Sequence, residues 1–193
     1  MKKYDYEKAI QVINYLICSN ENKRLDKISI IKLLFFSDKY HLCRYGRLIC
    51  NHAYFAMKHG PVQSEIRDIF NELSNNKNEY IYVKNNDVIS KQNPDLDELS
   101  DSDIEALDFN INLFKTIDGW ELVDLTHSCI EWSKHQSFLE TGSRKEMNIK
   151  DLFEISNVKD LKLKQLFEET SKYINYAQEV YREDQVIDSL MYG

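Results

Sequence analysis

The hydrophobic and polar positions of this chain repeat with a helical period over most of its length. Apolar side chains recur three or four positions apart, which places them on one side of an α-helix. Gly and Pro, the residues that interrupt helices, number only 5 and 2. The chain is therefore predicted to be mainly α-helical. The predicted helices cover residues 5–19, 27–44, 62–74, 100–116, 120–127 and 161–182.

One pair of short segments follows a β pattern instead. Tyr80–Val83 and Val88–Ser90 are rich in β-forming residues, and they flank the polar sequence KNND, which is typical of a hairpin turn. An isolated hairpin of this size is marginally stable. We therefore expect a small antiparallel β-hairpin near residues 80–90 that packs on the helices.

Two further segments have no clear helical pattern. Tyr54–Met57 fits either a short strand or an irregular buried segment. It leads to Gly60-Pro61, and a proline near the first turn is predicted to open the helix over 62–74. The segment 137–146 contains Thr-Gly-Ser at its centre and is predicted to be a loop.

The segment 27–44 is apolar on nearly every side, and one acidic residue interrupts that pattern. At about 100° per residue, Asp38 lies in the middle of a broad apolar arc. A carboxylate is costly to bury unless it is paired. We therefore predict that Asp38 is buried and bonded to Arg47 or to a group in the segment 54–62. A catalytic or partner-recognition role for this carboxylate is the alternative.

The length and composition fit a single globular domain over residues 1–193. No apolar run approaches the roughly 18 residues that a membrane span requires. The N-terminus, MKKYDYEKAI, lacks the apolar region of a signal peptide. We therefore expect a cytoplasmic protein that has no membrane partner.

The cysteines and glycines do not form a recognisable site for a metal or a nucleotide. Cys18, Cys43, Cys50 and Cys129 form no Cys-x-x-Cys pair, and in a reducing compartment free thiols are favoured over disulfides. Cys43 and Cys50 lie close to His52, but their spacing matches no common zinc module. A Gly-rich phosphate loop is absent from the sequence. We therefore expect no metal and no cofactor.

Charge is distributed unevenly between the two halves of the chain. Residues 1–92 contain 15 Lys and Arg and 10 Asp and Glu, a net +5, whereas residues 93–193 contain 10 and 22, a net −12. The acidic half favours a basic protein partner over nucleic acid, because phosphate binding depends on Lys and Arg. The alternative is that the acidic charge serves only to keep the chain soluble. The candidate partner-binding residues of this half are Glu168, Glu169, Glu179 and Glu183.

A set of closely spaced residues resembles a known family. The residues that carry the resemblance are Lys32-Leu33, Asp38, Tyr40-His41, Tyr45-Gly46-Arg47, Ile49, Tyr54, Ala56-Met57-Lys58-His59-Gly60-Pro61-Val62 and Glu65-Ile66. A looser match follows at Leu125-Thr126-His127 and Trp132. In type and spacing they resemble the Panacea antitoxin domain, the family of SocA-like antitoxins and phage-associated proteins. The chain departs from the family pattern at Thr126, where a Ser is common, and at Cys43.

The resemblance implies an antitoxin that neutralises a cognate protein toxin by direct contact. In this family the shared domain is a scaffold paired with toxins of unrelated kinds, some relatives deliver a toxin to a protease, and many are encoded in prophages. Most of the matched residues are expected to stabilise the fold rather than to bind the toxin. These residues are Lys32, Asp38, His41, Gly46, Arg47, Tyr54, Lys58, His59, Gly60, Pro61, His127 and Trp132.

Two other functions remain as alternatives. An enzyme or a phage-derived regulator would use a His/Asp cluster of Asp38, His41, His59 and His127, with Cys43 or Cys129 as a nucleophile. No signature surrounds either cysteine, so we expect no enzymatic activity. A DNA-binding repressor would use the basic residues near the first two helices, but the second helix is too apolar for a recognition helix. These basic residues are Lys23, Arg24, Lys27, Lys32, Lys39, Arg44 and Arg47.

Overall fold

A computed structural model describes residues 5–51, 53–74 and 78–192 of the chain. Within these ranges the fold is mainly α-helical with a small antiparallel β component, which confirms the predicted class. The helices are α1 (Tyr6–Cys18), α2 (Lys27–Tyr45), α3 (Ser64–Leu73), α4 (Asp101–Phe114), α5 (Gly119–His127), α6 (Ile130–Ser133), α7 (Gln136–Leu139), α8 (Leu161–Ser171) and α9 (Ile174–Tyr192). The strands are β1 (Arg24–Asp26), β2 (Tyr54–Met57), β3 (Gly60–Gln63), β4 (Ile81–Lys84), β5 (Asp87–Ser90) and β6 (Arg144–Glu146). Short 3₁₀ turns cover Leu96–Glu98 and Ile149–Phe153.

Helix α2 lies at the centre of the fold and is buried along most of its length. Asp26 caps its N-terminus by accepting hydrogen bonds from the N–H groups of Ile28 and Ser29, at 3.1 and 3.0 Å. Gly46 ends it in the left-handed conformation, with φ at 72°. Helices α1, α4, α5, α8 and α9 all pack against α2. The central helix therefore brings distant parts of the chain together around its own side chains.

The strands form two small antiparallel sheets. The predicted hairpin is confirmed, since β4 pairs with β5 and places Val83 opposite Val88. Strand β1 extends this hairpin to three strands by pairing with β5. The second sheet has the order β3-β2-β6, so Tyr54–Met57 is a strand. Strand β1 was not predicted, because three residues in a polar stretch are too few to show a period.

Three predicted element boundaries are wrong. Pro61 and Val62 do not begin a helix but belong to β3, because Gly60, with φ at 91°, reverses the chain so that it pairs with β2. The predicted loop over 137–146 instead contains part of α7 and all of β6. The helix predicted over 161–182 is divided into α8 and α9.

One cause of the break between α8 and α9 is local. The Thr170 hydroxyl donates to the carbonyls of Leu166 and Phe167, at 2.9 and 3.3 Å, and such side-chain bonds to the preceding turn favour a bend. The break directs Ala177 of α9 onto the central helix, where it is fully buried. Apolar periodicity continues across the break, so the sequence pattern did not reveal it.

No helix of the described residues combines the length and the apolar character needed to span a membrane.

Candidate functional site

Asp38 is the centre of a buried hydrogen-bond network between α2 and β2. Its side chain is fully buried. One carboxylate oxygen accepts from the Ile49 N–H at 2.8 Å, and the other accepts from the Tyr54 hydroxyl at 2.5 Å. Gln63 Nε2 donates to the same hydroxyl at 2.6 Å. The prediction that Asp38 is buried and bonded to the segment 54–62 is therefore confirmed.

Tyr54 remains a neutral donor in this network. Burial raises the pKa of its phenol well above the usual value, and the Asp38 carboxylate raises it further. The phenol therefore stays protonated and donates to Asp38, while its oxygen accepts from Gln63. The network joins α2 to both β2 and β3.

Lys32 is a second buried charged residue of α2, one that makes no ion pair within the described part of the chain. It is 1% exposed, and its ammonium donates to the Pro61 carbonyl at 2.8 Å. Burial lowers the pKa of Lys32 to about 7. A Cβ on Gly60 would lie within 3.0 Å of both the Lys32 nitrogen and the Thr126 hydroxyl. The β2–β3 turn therefore fits closely between α2 and α5 and requires glycine.

His127 and Trp132 close the other side of this turn. Their rings are stacked, with centroids 3.8 Å apart and planes 13° from parallel. Trp132 Nε1 donates to the Met57 carbonyl at 2.9 Å, and His127 hydrogen bonds to the Lys58 backbone. Burial lowers the pKa of His127, and the nearby Lys32 lowers it further. These contacts fix the backbone of the turn from the α5–α6 side.

The exposed part of this region is small. Lys58 and His59 are exposed at the tip of the turn. Trp120 is 59% exposed and meets the His59 ring edge-on, with centroids 5.2 Å apart. The sequence pattern did not lead us to Trp120 as an exposed site residue. A tryptophan in the first turn after the Asp118 cap that does not fit the apolar period is the signal that could have identified it. We call Lys58, His59 and Trp120 the turn patch.

A comparison with known families matches the part of the chain that holds these residues. The family model described as "Antitoxin SocA-like, Panacea domain" matches residues 30–133. The chain belongs to the Panacea family. No curated protein and no solved structure matches the chain. The matched range contains all of α2 except its first three residues, both strands of the turn, α5 and Trp132, which are the elements that surround Gly60-Pro61.

Other Panacea motif residues lie at the C-terminal end of α2. His41 Nδ1 is 2.8 Å from the Arg47 carbonyl and its Nε2 is 3.0 Å from the Ser102 hydroxyl. Burial lowers the pKa of His41 to about 4, so the ring is neutral at pH 7. The Arg47 guanidinium donates to the Ser102 hydroxyl at 2.9 Å. A Cβ on Gly46 would meet the backbone of α9, so this end of the motif fixes α4 and α9 against α2.

A buried ion pair of the Panacea domain was missed from the sequence. Lys39 Nζ lies 2.8 Å from Glu131 Oε1 and also donates to the carbonyls of Leu152 and Glu154, at 2.9 and 2.8 Å. Both side chains are almost completely buried. Burial alone would lower the pKa of Lys39, but the Glu131 carboxylate, together with Cys43 and Cys129, raises it above its usual value. Glu131 lies between Ile130 and Trp132, and it gave no sequence signal because its partner is remote in the chain.

Cys43, Cys129 and His41 are arranged unfavourably for nucleophilic catalysis. Burial raises the pKa of Cys43 to about 11 and that of Cys129 well above the usual range. A thiol with a raised pKa is a poor nucleophile. The ring nitrogens of His41 contact the Arg47 carbonyl, the Ser102 hydroxyl and, at 3.4 Å, the Asp103 carboxylate, but not a thiol. Within the described ranges no group of three His, Cys, Asp or Glu residues is arranged to hold a metal, and His52 lies outside these ranges.

Four of the seven basic residues near the first two helices are buried or paired with an acid. Lys32 and Lys39 are buried. Arg24 pairs with Asp87, and Arg44 Nε lies 3.0 Å from Glu105. The predicted partner-binding acids are placed differently: Glu168, Glu179 and Glu183 are exposed, whereas Glu169 is half-buried and lies 3.4 Å from Lys172. Of the remaining basic residues, Lys23 and Arg47 are exposed and Lys27 is half-buried.

Proposed function

We propose that this chain is an antitoxin that neutralises a cognate protein toxin by direct contact. The observation that carries the proposal is the Panacea family match over residues 30–133, together with the convergence of its motif residues on one structural core. Most of these residues are buried or bonded to backbone, so they stabilise a scaffold. Toxin specificity then depends on exposed residues outside the motif.

The whole chain is proposed to act as one unit over residues 1–193. Support comes from α2, most of which lies inside the matched range and which packs against α8 and α9 beyond it. We place this unit in the cytoplasm, without a metal, a cofactor or a membrane partner. A protease that receives the toxin from the antitoxin is the proposed second partner of the same complex, and a prophage is the proposed genetic setting.

The proposed partner surface lies in the acidic second half. The net charge of −12 over residues 93–193 favours a basic toxin, and the buried or paired state of Lys32, Lys39, Arg24 and Arg44 argues against a nucleic-acid surface. Association with a basic protein should slow as salt rises, because screening weakens electrostatic steering.

Co-expression with the product of the neighbouring gene tests the proposal. If that product arrests growth when expressed alone, growth should return when this chain is present, and the two proteins should purify together. Reversal of all four acids, Glu168, Glu169, Glu179 and Glu183, to Lys should weaken rescue without changing the melting temperature. Rescue that is unaffected would move the contact to the turn patch or the basic N-terminal half.

Two results would favour the alternative functions. Specific binding of the purified chain to its own promoter, without a protein partner, would support the repressor hypothesis. Turnover of a substrate that is abolished by His59→Ala or His127→Ala, while the fold is retained, would support an enzyme.

Toxin loss that requires an active host protease would identify the delivery mechanism, whereas rescue in a protease-deficient host would identify simple occlusion.

A further inference from the structure

The C-terminal part of α9 has an exposed apolar side. Over residues 182–191 no side chain is fully buried, although Ala177 and Tyr181 of the same helix pack on α2 and on Phe153. The exposed large apolar side chains of α9 are Tyr176 at 66%, Val186 at 58%, Ile187 at 51%, Leu190 at 81% and Met191 at 67%. An isolated helix end has little stability of its own, so this surface is typical of one that a partner covers.

Four of these five residues, all except Met191, lie on one side of the helix. At about 100° per residue they fall within an arc of roughly 100°, on the side opposite Ala177 and Tyr181. We call Tyr176, Val186, Ile187 and Leu190 the α9 stripe. It extends over roughly 21 Å, since an α-helix rises about 1.5 Å per residue.

Two carboxylates lie within the α9 stripe. Glu179 and Glu183 fall in the same arc as the apolar residues, and both are exposed. Residues 174–192 contain four acidic residues and one Arg. A covering surface must therefore offer apolar side chains and place cations opposite Glu179 and Glu183.

We propose that the α9 stripe is the docking site for a basic amphipathic helix of the partner protein. This inference rests on the proposed antitoxin function and specifies which surface and which toxin feature form the contact. Leucine-like side chains of the partner pack on Tyr176, Ile187 and Leu190, and its Lys or Arg residues pair with Glu179 and Glu183. Helix-on-helix recognition of this kind uses apolar contacts at helical spacing.

Charge distinguishes this partner from a second copy of the chain. Glu183 lies at the middle of the stripe, so an antiparallel pair of α9 helices related by a two-fold axis would place it against its own copy. Burying like charges in an apolar contact is unfavourable. A basic helix supplies the opposite charge at the same positions, which makes it the favoured occupant.

A direct test uses the full-length chain and a synthetic peptide as the probe. The probe is a labelled helical peptide of about 18 residues, built of Leu on one face and Lys on the other. A second peptide carries Glu in place of every Lys. Fluorescence anisotropy should show binding of the Lys peptide, and the Glu peptide should bind at least about tenfold more weakly because its charges repel Glu179 and Glu183. Equal binding of both peptides would overturn the proposal.

Two matched pairs of variants locate the contact. Glu179→Lys/Glu183→Lys should weaken binding of the Lys peptide by about tenfold or more. Asp68→Lys/Glu72→Lys changes an equally spaced exposed pair on α3, and it should leave the affinity for the Lys peptide within about twofold of wild type. Leu190→Ser should weaken binding, and Leu161→Ser, at a residue 77% exposed on α8, should not. Equal losses within either pair would contradict docking at α9. Sedimentation equilibrium that shows a dimer dissociated by Leu190→Ser would assign the stripe to a second copy and overturn the proposal.

Growth rescue separates this inference from the antitoxin proposal. If the wild-type chain rescues growth but Glu179→Lys/Glu183→Lys and Leu190→Ser rescue equally well, the docking inference is wrong and the antitoxin function stands. If the wild-type chain does not rescue, the antitoxin function with that gene product is wrong, and the peptide measurements alone decide whether α9 is a docking surface.

Discussion

Replacing Asp38 with alanine should lower the free energy of unfolding by about 3–5 kcal/mol. The substitution leaves the Ile49 N–H and the Tyr54 hydroxyl without the acceptors they contact at 2.8 and 2.5 Å. A buried donor that loses its acceptor costs about 1–3 kcal/mol, and the removed carboxylate also leaves unfilled space. The sum is a large part of the stability of a typical domain, about 5–15 kcal/mol.

Chemical denaturation gives the magnitude. Guanidinium unfolding at pH 7, followed by both far-UV circular dichroism and tryptophan fluorescence, should give coincident transitions, with a lower midpoint and an unchanged slope for Asp38→Ala. Tyr54→Phe removes one donor and should cost less, about 1–2 kcal/mol. The double variant should cost less than the sum of the single variants, because both disrupt the same hydrogen bond.

A surface acid provides the matched control for Asp38. Asp68→Ala on the exposed side of α3 should change the free energy of unfolding by at most about 0.5 kcal/mol. The reasoning would be refuted if Asp38→Ala cost less than about 1 kcal/mol, or if its effect and that of Tyr54→Phe were strictly additive. Either result would mean that the Asp38–Tyr54 bond contributes little to stability.

Three further predictions concern the residues around the turn and the buried ion pair. Gly60→Ala should destabilise the fold by about 2 kcal/mol or more, because φ is 91° and the new methyl group would meet Thr126 and Lys32; thermal unfolding measures this. Burial lowers the pKa of Lys32 to about 7, so between about pH 7 and 10.5 Lys32 binds fewer protons in the folded than in the unfolded chain. Its contribution to stability therefore rises with pH across that window. Lys32→Met should reduce the change in unfolding free energy with pH by up to about 1.4 kcal/mol per pH unit, which denaturant titrations measure. Glu131→Gln should cost about 3 kcal/mol in denaturation, because it leaves the buried Lys39 charge without its counter-ion, and Lys39→Met in the same chain should recover part of that loss.

Exposed positions supply the controls for these predictions. Lys150→Met and Glu140→Gln alter exposed residues, and each should change stability by at most about 0.5 kcal/mol. A Gly60→Ala chain with wild-type stability would show that the turn adapts. An unchanged pH slope in Lys32→Met, or a double variant no more stable than Glu131→Gln alone, would contradict the assigned burial costs.

Local pattern determined the parts of this protein that depend on near neighbours. Helical periodicity and the scarcity of Gly and Pro predicted the mainly α-helical class, and β-forming residues around KNND predicted the hairpin. The carboxylate of Asp38 inside an apolar arc predicted its own burial, since only a paired carboxylate is tolerated there. The motif residues also predicted the family before any three-dimensional contact was known.

The tertiary structure decided everything that depends on contacts between distant residues. Glu131 is buried because Lys39 lies 2.8 Å away, although 91 residues separate them in sequence. Pro61 and Val62 form a strand because Gly60 turns the chain onto β2, and the apolar period that continues from α8 into α9 does not record the break between them. The same limit applies to the α9 stripe: periodicity identifies an apolar side of a helix, but only packing determines which apolar side chains the rest of the chain covers and which are left for a partner.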